Sequence, residues 1–164
     1  MARTYTLLGD NMTVVNAVVT LAFLNPPATG PDTLIRRIWV SNTGTVAFRQ
    51  RLQLVTQVTA FPTLVSATPK AHAMHDTASN ITGNTTGAAG TCGINASAEG
   101  AGTKTVAHAD VFDVAVGFLK VLTPEDVYEM DAGSSSGFGV YFPAATGASP
   151  NTLGWMVGVT YSEV

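Results

Sequence analysis

The sequence predicts an all-β protein, an antiparallel β-sandwich of the jelly-roll or a related type that occupies residues 1–164 as a single domain. Apolar side chains recur at every second position in several segments, which is the period of a β-strand. No long segment has the spacing of an amphipathic helix. A chain of 164 residues has room for one ordinary core. About eight short strands in one domain suit two packed antiparallel sheets.

The first 33 residues are expected to form either an N-terminal strand or an arm. Residues 4–8 alternate as a strand does, and the apolar run at 12–24 is rich in β-branched residues, which favour strands. This run is too short to span a bilayer as a helix, which takes about 20 apolar residues. It also lacks the basic start and the cleavage site of a signal peptide. We therefore expect no membrane association.

Six further segments are predicted to be strands. Residues 48–58 show the rule most clearly, because Leu52, Leu54 and Val58 fall on one face while Arg49 and Arg51 fall on the other. Turn residues rich in Gly, Pro, Asn and Ser separate the segments. The predicted strands cover residues 34–41, 48–58, 111–122, 127–130, 137–142 and 153–162.

Two segments interrupt this rhythm. The sequence Thr123-Pro124-Glu125-Asp126 has a hydroxyl N-cap, a proline at the first helical position and two acids, which predicts a short helical corner. Residues 62–105 form a long loop in this prediction, because 83–102 consist mostly of Gly, Ala, Ser, Thr and Asn. Long loops in compact domains are often functional, so this one is a candidate contact loop.

The composition indicates a protein that assembles with partners. Charged residues make up only 12% of the chain, about half the usual share, so much of the surface is weakly protected against association. The net charge of -3 argues against nucleic-acid binding, which needs clustered cations. Residues 1–98 carry six basic and three acidic groups, whereas residues 99–164 carry two basic and eight acidic groups.

The stretch Lys70-Ala71-His72-Ala73-Met74-His75-Asp76 is the most conspicuous cluster of polar side chains. His72 and His75 with Asp76 offer metal-binding groups, but the pattern lacks the glutamate of HExxH, and His108 is remote in sequence. We therefore predict no metal, cofactor or catalytic site. Lys70, His72, His75 and Asp76 are instead candidate contacts with another subunit or a capsid.

Four arginines are further contact candidates. Arg36 and Arg37 are adjacent in a predicted strand and so should point to opposite faces, while Arg49 and Arg51 share one face. Two interpretations stay open for all four. They form a solvated edge, or they pair with the acidic C-terminal half of a neighbouring subunit.

The order of elements over residues 34–164 resembles that of jelly-roll capsid decoration, or cement, proteins of tailed bacteriophages. The resemblance rests on spacing and residue type in the segments "IRRIWVSNTGT", "RLQLVTQ", "TPKAHAMHDTAS", "FDVAVGFLKVLTPEDVYEM", "GFGVYFPA" and "GVTYSEV". It implies a homotrimer without a cofactor, assembled in the host cytoplasm. It also implies that this trimer sits on the outer surface of the head and bridges subunits of the major capsid protein.

Two other classes of function compete with this one. A trimeric jelly-roll adhesin or tail-associated glycan-binding protein would expose aromatic side chains for stacking on sugars, but Trp39 and Trp155 lie in strand patterns that predict core positions. A metal-dependent enzyme of the cupin type would need ligands that converge inside the barrel. Elemental analysis of the purified protein for zinc, nickel and iron separates that enzyme from a structural protein.

Overall fold

The computed structural model describes residues 2–14, 19–44, 47–73, 77–143 and 153–164. In these ranges the chain forms strands, turns and irregular connections. No helix of the described part is long and apolar enough to cross a membrane. The strands are β1 (Arg3–Met12), β2 (Val19–Leu24), β3 (Thr33–Asn42), β4 (Arg49–Val58), β5 (Thr63–Ser66), β6 (Lys70–Ala71), β7 (Thr82–Gly83), β8 (Thr91–Ala98), β9 (Thr103–Asp113), β10 (Phe118–Val121), β11 (Tyr128–Met130), β12 (Ser136–Phe142) and β13 (Trp155–Glu163).

The strands form two packed sheets, which confirms the predicted β-sandwich. Sheet A has the order β10-β3-β13-β1-β6, with β11 also beside β3. Sheet B has the order β5-β8-β2-β12-β4-β9, with β7 beside β8. All pairs are antiparallel except β7 with β8.

The core lies between the sheets and follows the predicted alternation. In β13, Trp155, Val157, Val159 and Tyr161 are all buried, with exposed fractions of 1% or less. Trp155 packs edge-on against Phe142, with ring centroids 4.9 Å apart. Burial of each large apolar side chain stabilises the fold by roughly 1.5–3 kcal/mol, so this row is a major source of stability.

The single strand predicted at 111–122 is wrong, because the chain changes sheets there. β9 in sheet B ends at Asp113, and β10 in sheet A begins at Phe118. The amides of Val116 and Gly117 both donate to the Asp113 carbonyl, at 3.0 and 2.9 Å. Val116 is consequently 86% exposed, although strict alternation assigns it to the face of buried Phe112 and Phe118.

The predicted helical corner is also wrong. Thr123 and Asp126 close a single hydrogen-bonded turn, in which the Asp126 amide donates to the Thr123 carbonyl at 3.0 Å. The Thr123 hydroxyl donates to Asp126 Oδ2 at 3.1 Å. Thr123 thus caps a turn rather than a helix, because the chain enters β11 two residues after Asp126.

The N-terminal fifth of the chain forms strands within the sandwich. Residues 1–33 contain β1 in sheet A and β2 in sheet B, and all six residues of β2 are buried. The run at 12–24 is not one strand, because β1 ends at Met12 and β2 begins at Val19 in the other sheet.

The segment at 62–105 is not a loop without structure. It contains β5, β6, β7, β8 and the start of β9, and it buries Ile81 and Cys92 completely. Its glycines permit close backbone contact, since a Cβ on Gly93 would lie 2.7 Å from the Val65 carbonyl oxygen. Small residues, which the sequence suggested could not form a core, allow this segment to pack against the rest of sheet B.

Candidate functional site: the outer face of sheet A

The side of sheet A that points away from the core, here called the outer face of sheet A, carries four of the predicted contact residues. The strand registers place Lys70, Thr6, Thr160 and Arg37 in one row across β6, β1, β13 and β3. Arg36 and His72 lie beside this row. The structure therefore brings Arg36, Arg37, Lys70 and His72, which are up to 36 positions apart in sequence, onto one surface.

A β-bulge places both arginines of the pair on this face. Thr160 pairs with Arg37 and Tyr161 pairs with Ile35, so Arg36 is the extra residue. The Arg36 Nε donates to the hydroxyl of Ser162 at 3.4 Å. The prediction that adjacent arginines point to opposite faces is wrong here, because a bulge shifts the alternation by one residue.

His72 is held at the edge of the same face. Its backbone amide donates to the Thr4 carbonyl at 2.9 Å, which extends the pairing of β6 with β1. Its Nε2 lies 2.7 Å from the hydroxyl of Thr6, which in turn lies 3.0 Å from the hydroxyl of Thr160. His72 is thus linked by hydrogen bonds to two strands. His75 and Asp76 lie outside the described residues.

A row of apolar side chains lies next to the basic residues. The registers align Leu8, Gly158, Trp39 and Leu119 across β1, β13, β3 and β10. Leu119 is 66% exposed, and Val121, which pairs with Arg37, is 65% exposed. Leu8, Leu119 and Val121 therefore expose apolar surface next to the basic residues of this face.

Trp39 belongs to this row and not to the core, which corrects the prediction from its strand pattern. Its indole lies directly on Gly158, where an added Cβ would be 2.1 Å from Trp39 Nε1. A shallow cleft of about 390 Å³ opens beside it, lined by Trp39, Ser41, Val116 and Leu119 with neighbouring backbone. Trp155, in contrast, is a core residue as predicted.

Three carboxylates, here called the acidic group, lie at one end of the same sheet. Asp32, Glu129 and Asp131 have carboxylate oxygens within 4.8 Å of one another. Glu129 pairs with Leu34 in the register of β11 with β3. The sequence analysis missed this group, because Asp32 is about 100 residues from the other two and no short motif links them.

Oxygen ligands of this kind suit hard cations such as Ca²⁺. One oxygen of the group already accepts a hydrogen bond, since the Ala132 amide donates to Asp32 Oδ1 at 2.8 Å. Exposed acidic groups of this size are common without an ion. The geometry therefore does not by itself assign a metal site.

The other two predicted arginines lie elsewhere. Arg49 and Arg51 are exposed on the outer face of sheet B, where they pair in register with Asp113 and Val111 of β9. The structure therefore divides the four arginines into one pair on each sheet.

The chain that follows β6 is fastened to two strands of sheet A, β1 and β13. The Tyr5 hydroxyl donates to the Thr77 carbonyl at 3.1 Å, and the Arg3 guanidinium donates to the Thr77 hydroxyl. Glu163 accepts from the Ser79 hydroxyl at 2.5 Å and from the amide and side chain of Asn80 at 2.8 and 2.7 Å. Lys70–Ala71 and the chain at 77–80 are therefore both held against sheet A.

A half-buried carboxylate, Glu99, fastens the chain that follows β8 to β2. Glu99 accepts from the amide and the hydroxyl of Thr20, at 2.5 and 2.6 Å, and pairs with Lys104 at 3.3 Å. Burial and the charge of Glu99 both raise the pKa of the Tyr141 phenol, with burial the larger cause. The lone cysteine is buried, and burial raises the pKa of the Cys92 thiol to about 12, which keeps it an unreactive thiol.

Comparisons of the chain with protein-family models, with curated proteins and with solved structures gave no match.

Proposed function

We propose that this chain is a structural virion protein, a decoration or cement protein that binds the outer surface of a phage head and stabilises it by bridging subunits of the major capsid protein. The observation that supports the proposal best is the outer face of sheet A, which exposes Leu8, Leu119 and Val121 beside the half-buried Trp39 in a chain with only 12% charged residues. Contiguous exposed apolar surface of this kind is typical of an interface with other proteins. The proposed role is structural, with no catalytic step and no cofactor.

The strand order supports the proposal at the level of the fold. Two groups of four strands pair in the orders β1-β13-β3-β10 and β2-β12-β4-β9. Along the chain, β1, β2, β3 and β4 alternate between sheets A and B, and β9, β10, β12 and β13 do so again. We infer that the sandwich has the jelly-roll form, with β5 to β8 inserted between its fourth and fifth strands.

The proposed partners are two further copies of this chain, forming a homotrimer, and the major capsid protein. A trimer gains avidity, because the first subunit contact raises the effective concentration for the next two. In the proposed assembly, the segment at 62–105 and the stretch at 70–76 supply contacts with the head. The many hydrogen bonds that hold residues 77–80 suit a segment whose shape must be kept at such a contact.

Co-sedimentation with purified heads that lack this protein tests the proposal. We expect the protein to pellet with heads until it reaches a fixed ratio to the major capsid protein, and to raise the temperature at which the heads rupture. Light scattering is expected to give the mass of three copies for the isolated protein. A monomer that stays in the supernatant at every concentration would refute the proposal.

A matched pair of variants connects the binding to the face. Leu119→Ser with Val121→Ser removes two exposed apolar side chains of β10 in sheet A and is expected to weaken assembly on heads at least about tenfold. The control is Val106→Ser with Val111→Ser, because both are about half exposed on β9 of sheet B. Equal loss in both variants would point to general destabilisation and contradict an assignment to sheet A.

Trp39 favours a second candidate function, a jelly-roll adhesin or tail-associated protein that binds glycans. Its indole lies against Gly158 beside an open cleft, and an aromatic ring at the edge of a cleft can stack on a sugar. A glycan array with the wild type and with Trp39→Ala tests it. Specific binding that the substitution abolishes would favour the glycan function, whereas an array without hits would remove it.

A further inference from the structure

The outer face of sheet A places opposite charges next to each other without pairing them. Arg36 and Arg37 lie on β3, and the acidic group lies at the end of the same strand, around the register pair Leu34 and Glu129. Leu34 and Arg37 are three residues apart, which corresponds to roughly 10 Å along a strand. Among the residues that the structure describes, no carboxylate lies within ion-pairing distance of either arginine.

We infer that a second copy of this chain covers the outer face of sheet A, with Arg36 and Arg37 of one copy bound to Asp32, Glu129 and Asp131 of the next. This inference deepens the self-association in the proposed function and rests on that part of it. It does not depend on binding to a head.

Charge complementarity identifies the occupant. Three carboxylates within 4.8 Å repel one another, and a neighbouring cation is the simplest compensation. Two guanidinium groups supply such cations with a planar geometry that fits carboxylates. Because the same face carries the arginine pair and the acidic group, each copy offers carboxylates to the arginines of one copy and arginines to the carboxylates of another. One neighbouring copy therefore satisfies the arginine pair, and another neighbouring copy satisfies the acidic group.

The apolar side chains strengthen this contact. Val121 is the register partner of Arg37, and Leu119 lies two residues before it on β10. A partner that reaches the arginine pair therefore also covers these exposed side chains, which removes water from the ion pairs. Exclusion of water lowers the local dielectric constant and strengthens the attraction between the charges.

The arrangement is compatible with a closed ring. When a basic and an acidic patch lie side by side on each subunit, a three-fold axis near β11 makes them alternate around the axis, so that every patch meets its opposite. The contact is of the heterologous type, and three copies satisfy it without a free end.

A charge-swap experiment tests the inference on the isolated protein. Sedimentation velocity over a range of concentrations is measured for the wild type, for R36E/R37E, for E129K/D131K and for the variant with all four substitutions. We expect each double variant to weaken self-association by about tenfold or more, as repulsion replaces attraction. The fourfold variant is expected to recover most of the wild-type affinity, because opposite charges meet again at the four substituted positions. Raising the salt concentration should weaken the wild-type oligomer.

The matched control is R49E/R51E, which reverses the same two charges on the outer face of sheet B. It is expected to leave self-association unchanged. Circular dichroism checks that each variant folds, and R37E alone, at an exposed position, replaces R36E/R37E if that variant does not fold.

Three outcomes would overturn the inference: a wild-type protein that is monomeric throughout, an oligomer that R36E/R37E leaves intact, or a fourfold variant that stays dissociated. The same variants are then tested for co-sedimentation with heads. A protein that is monomeric alone but still saturates heads would refute this contact while leaving the decoration function standing. An oligomer that obeys the charge swap but ignores heads would support the contact and refute that function.

Discussion

Glu163 links the end of β13 to the chain that follows β6, and its removal is expected to release that chain from the sandwich. The carboxylate is only 4% exposed and accepts three hydrogen bonds, one from Ser79 and two from Asn80. Glu163→Ala removes all three acceptors at once. The segment around residues 77–83 should then open while the two sheets remain paired.

The expected loss follows from these three bonds. A hydrogen bond to a charged group contributes about 1.5–3 kcal/mol, but Asn80 is exposed and its freed donors can bind water. We therefore expect Glu163→Ala to lower the free energy of unfolding by about 2–4 kcal/mol, out of a typical total of about 5–15 kcal/mol. Glu163→Gln should lose less stability, because the glutamine keeps one acceptor oxygen. Some loss should remain, because the glutamine nitrogen would face a donor of Asn80.

Urea unfolding followed by tryptophan fluorescence measures the loss, and hydrogen exchange by mass spectrometry locates it. Peptides that contain residues 77–83 should lose protection first in Glu163→Ala. The control is Glu125→Ala, at an exposed position, which should change stability by less than about 0.5 kcal/mol. A Glu163→Ala variant as stable as this control, or one whose loss of protection is spread evenly over all strands, would refute the reasoning.

Three further predictions concern other contacts. Gly158→Val would place a side chain into the indole of Trp39, so we expect Trp39 to be displaced. Tryptophan emission should shift to the red, and urea unfolding should show a loss of about 1–3 kcal/mol in stability. Unchanged emission would contradict the contact. Burial raises the pKa of the Cys92 thiol from 9.0 to about 12, so the unfolded state loses this proton at a lower pH than the folded state does. The stability of the fold should therefore decrease as the pH rises from about 9 to about 12. At pH 10 this loss is about 1.4 kcal/mol relative to pH 8. Urea unfolding at both pH values should show a smaller loss of stability for Cys92→Ala than for the wild type. Thiol reagents should label the wild type only after it unfolds, and rapid labelling of the folded protein would contradict the burial. Glu99→Ala removes both bonds to Thr20 and should lower stability by about 2–3 kcal/mol, whereas a change below about 0.5 kcal/mol would show that Thr20 finds another acceptor.

Strands with one buried face could be predicted from the sequence. The strands predicted at 48–58 and 153–162 lie at nearly the positions of β4 and β13. Within β4 the predicted face is wrong after Leu54, because the register shifts there, so that Gln57 is buried and Val58 is 39% exposed. The prediction failed where the chain changes sheets, at Val114 to Gly117, because alternation describes one strand and carries no information about which sheet the strand joins. It failed again at Arg36, because the bulge depends on the register with Thr160 and Tyr161.

The candidate site was predictable as a set of residue types but not as a surface. Arg36, Arg37, Lys70 and His72 were identified singly, and only the pairing of β6 with β1 and of β13 with β3 places them together. The acidic group could not be predicted, because its members meet only where β11 lies beside β3. The contact roles of all eight candidate residues stay predictions.

The sequence by itself determined the sandwich class, through the two-residue period of its apolar side chains. Only the tertiary structure decided which side of a strand faces solvent when both sides carry apolar residues. In β3, Trp39 lies on the outer face and Val40 in the core, although both are apolar and adjacent. The physical reason is that Gly158 of β13 leaves space for an indole on the outside, and β13 lies more than 100 residues away in the chain.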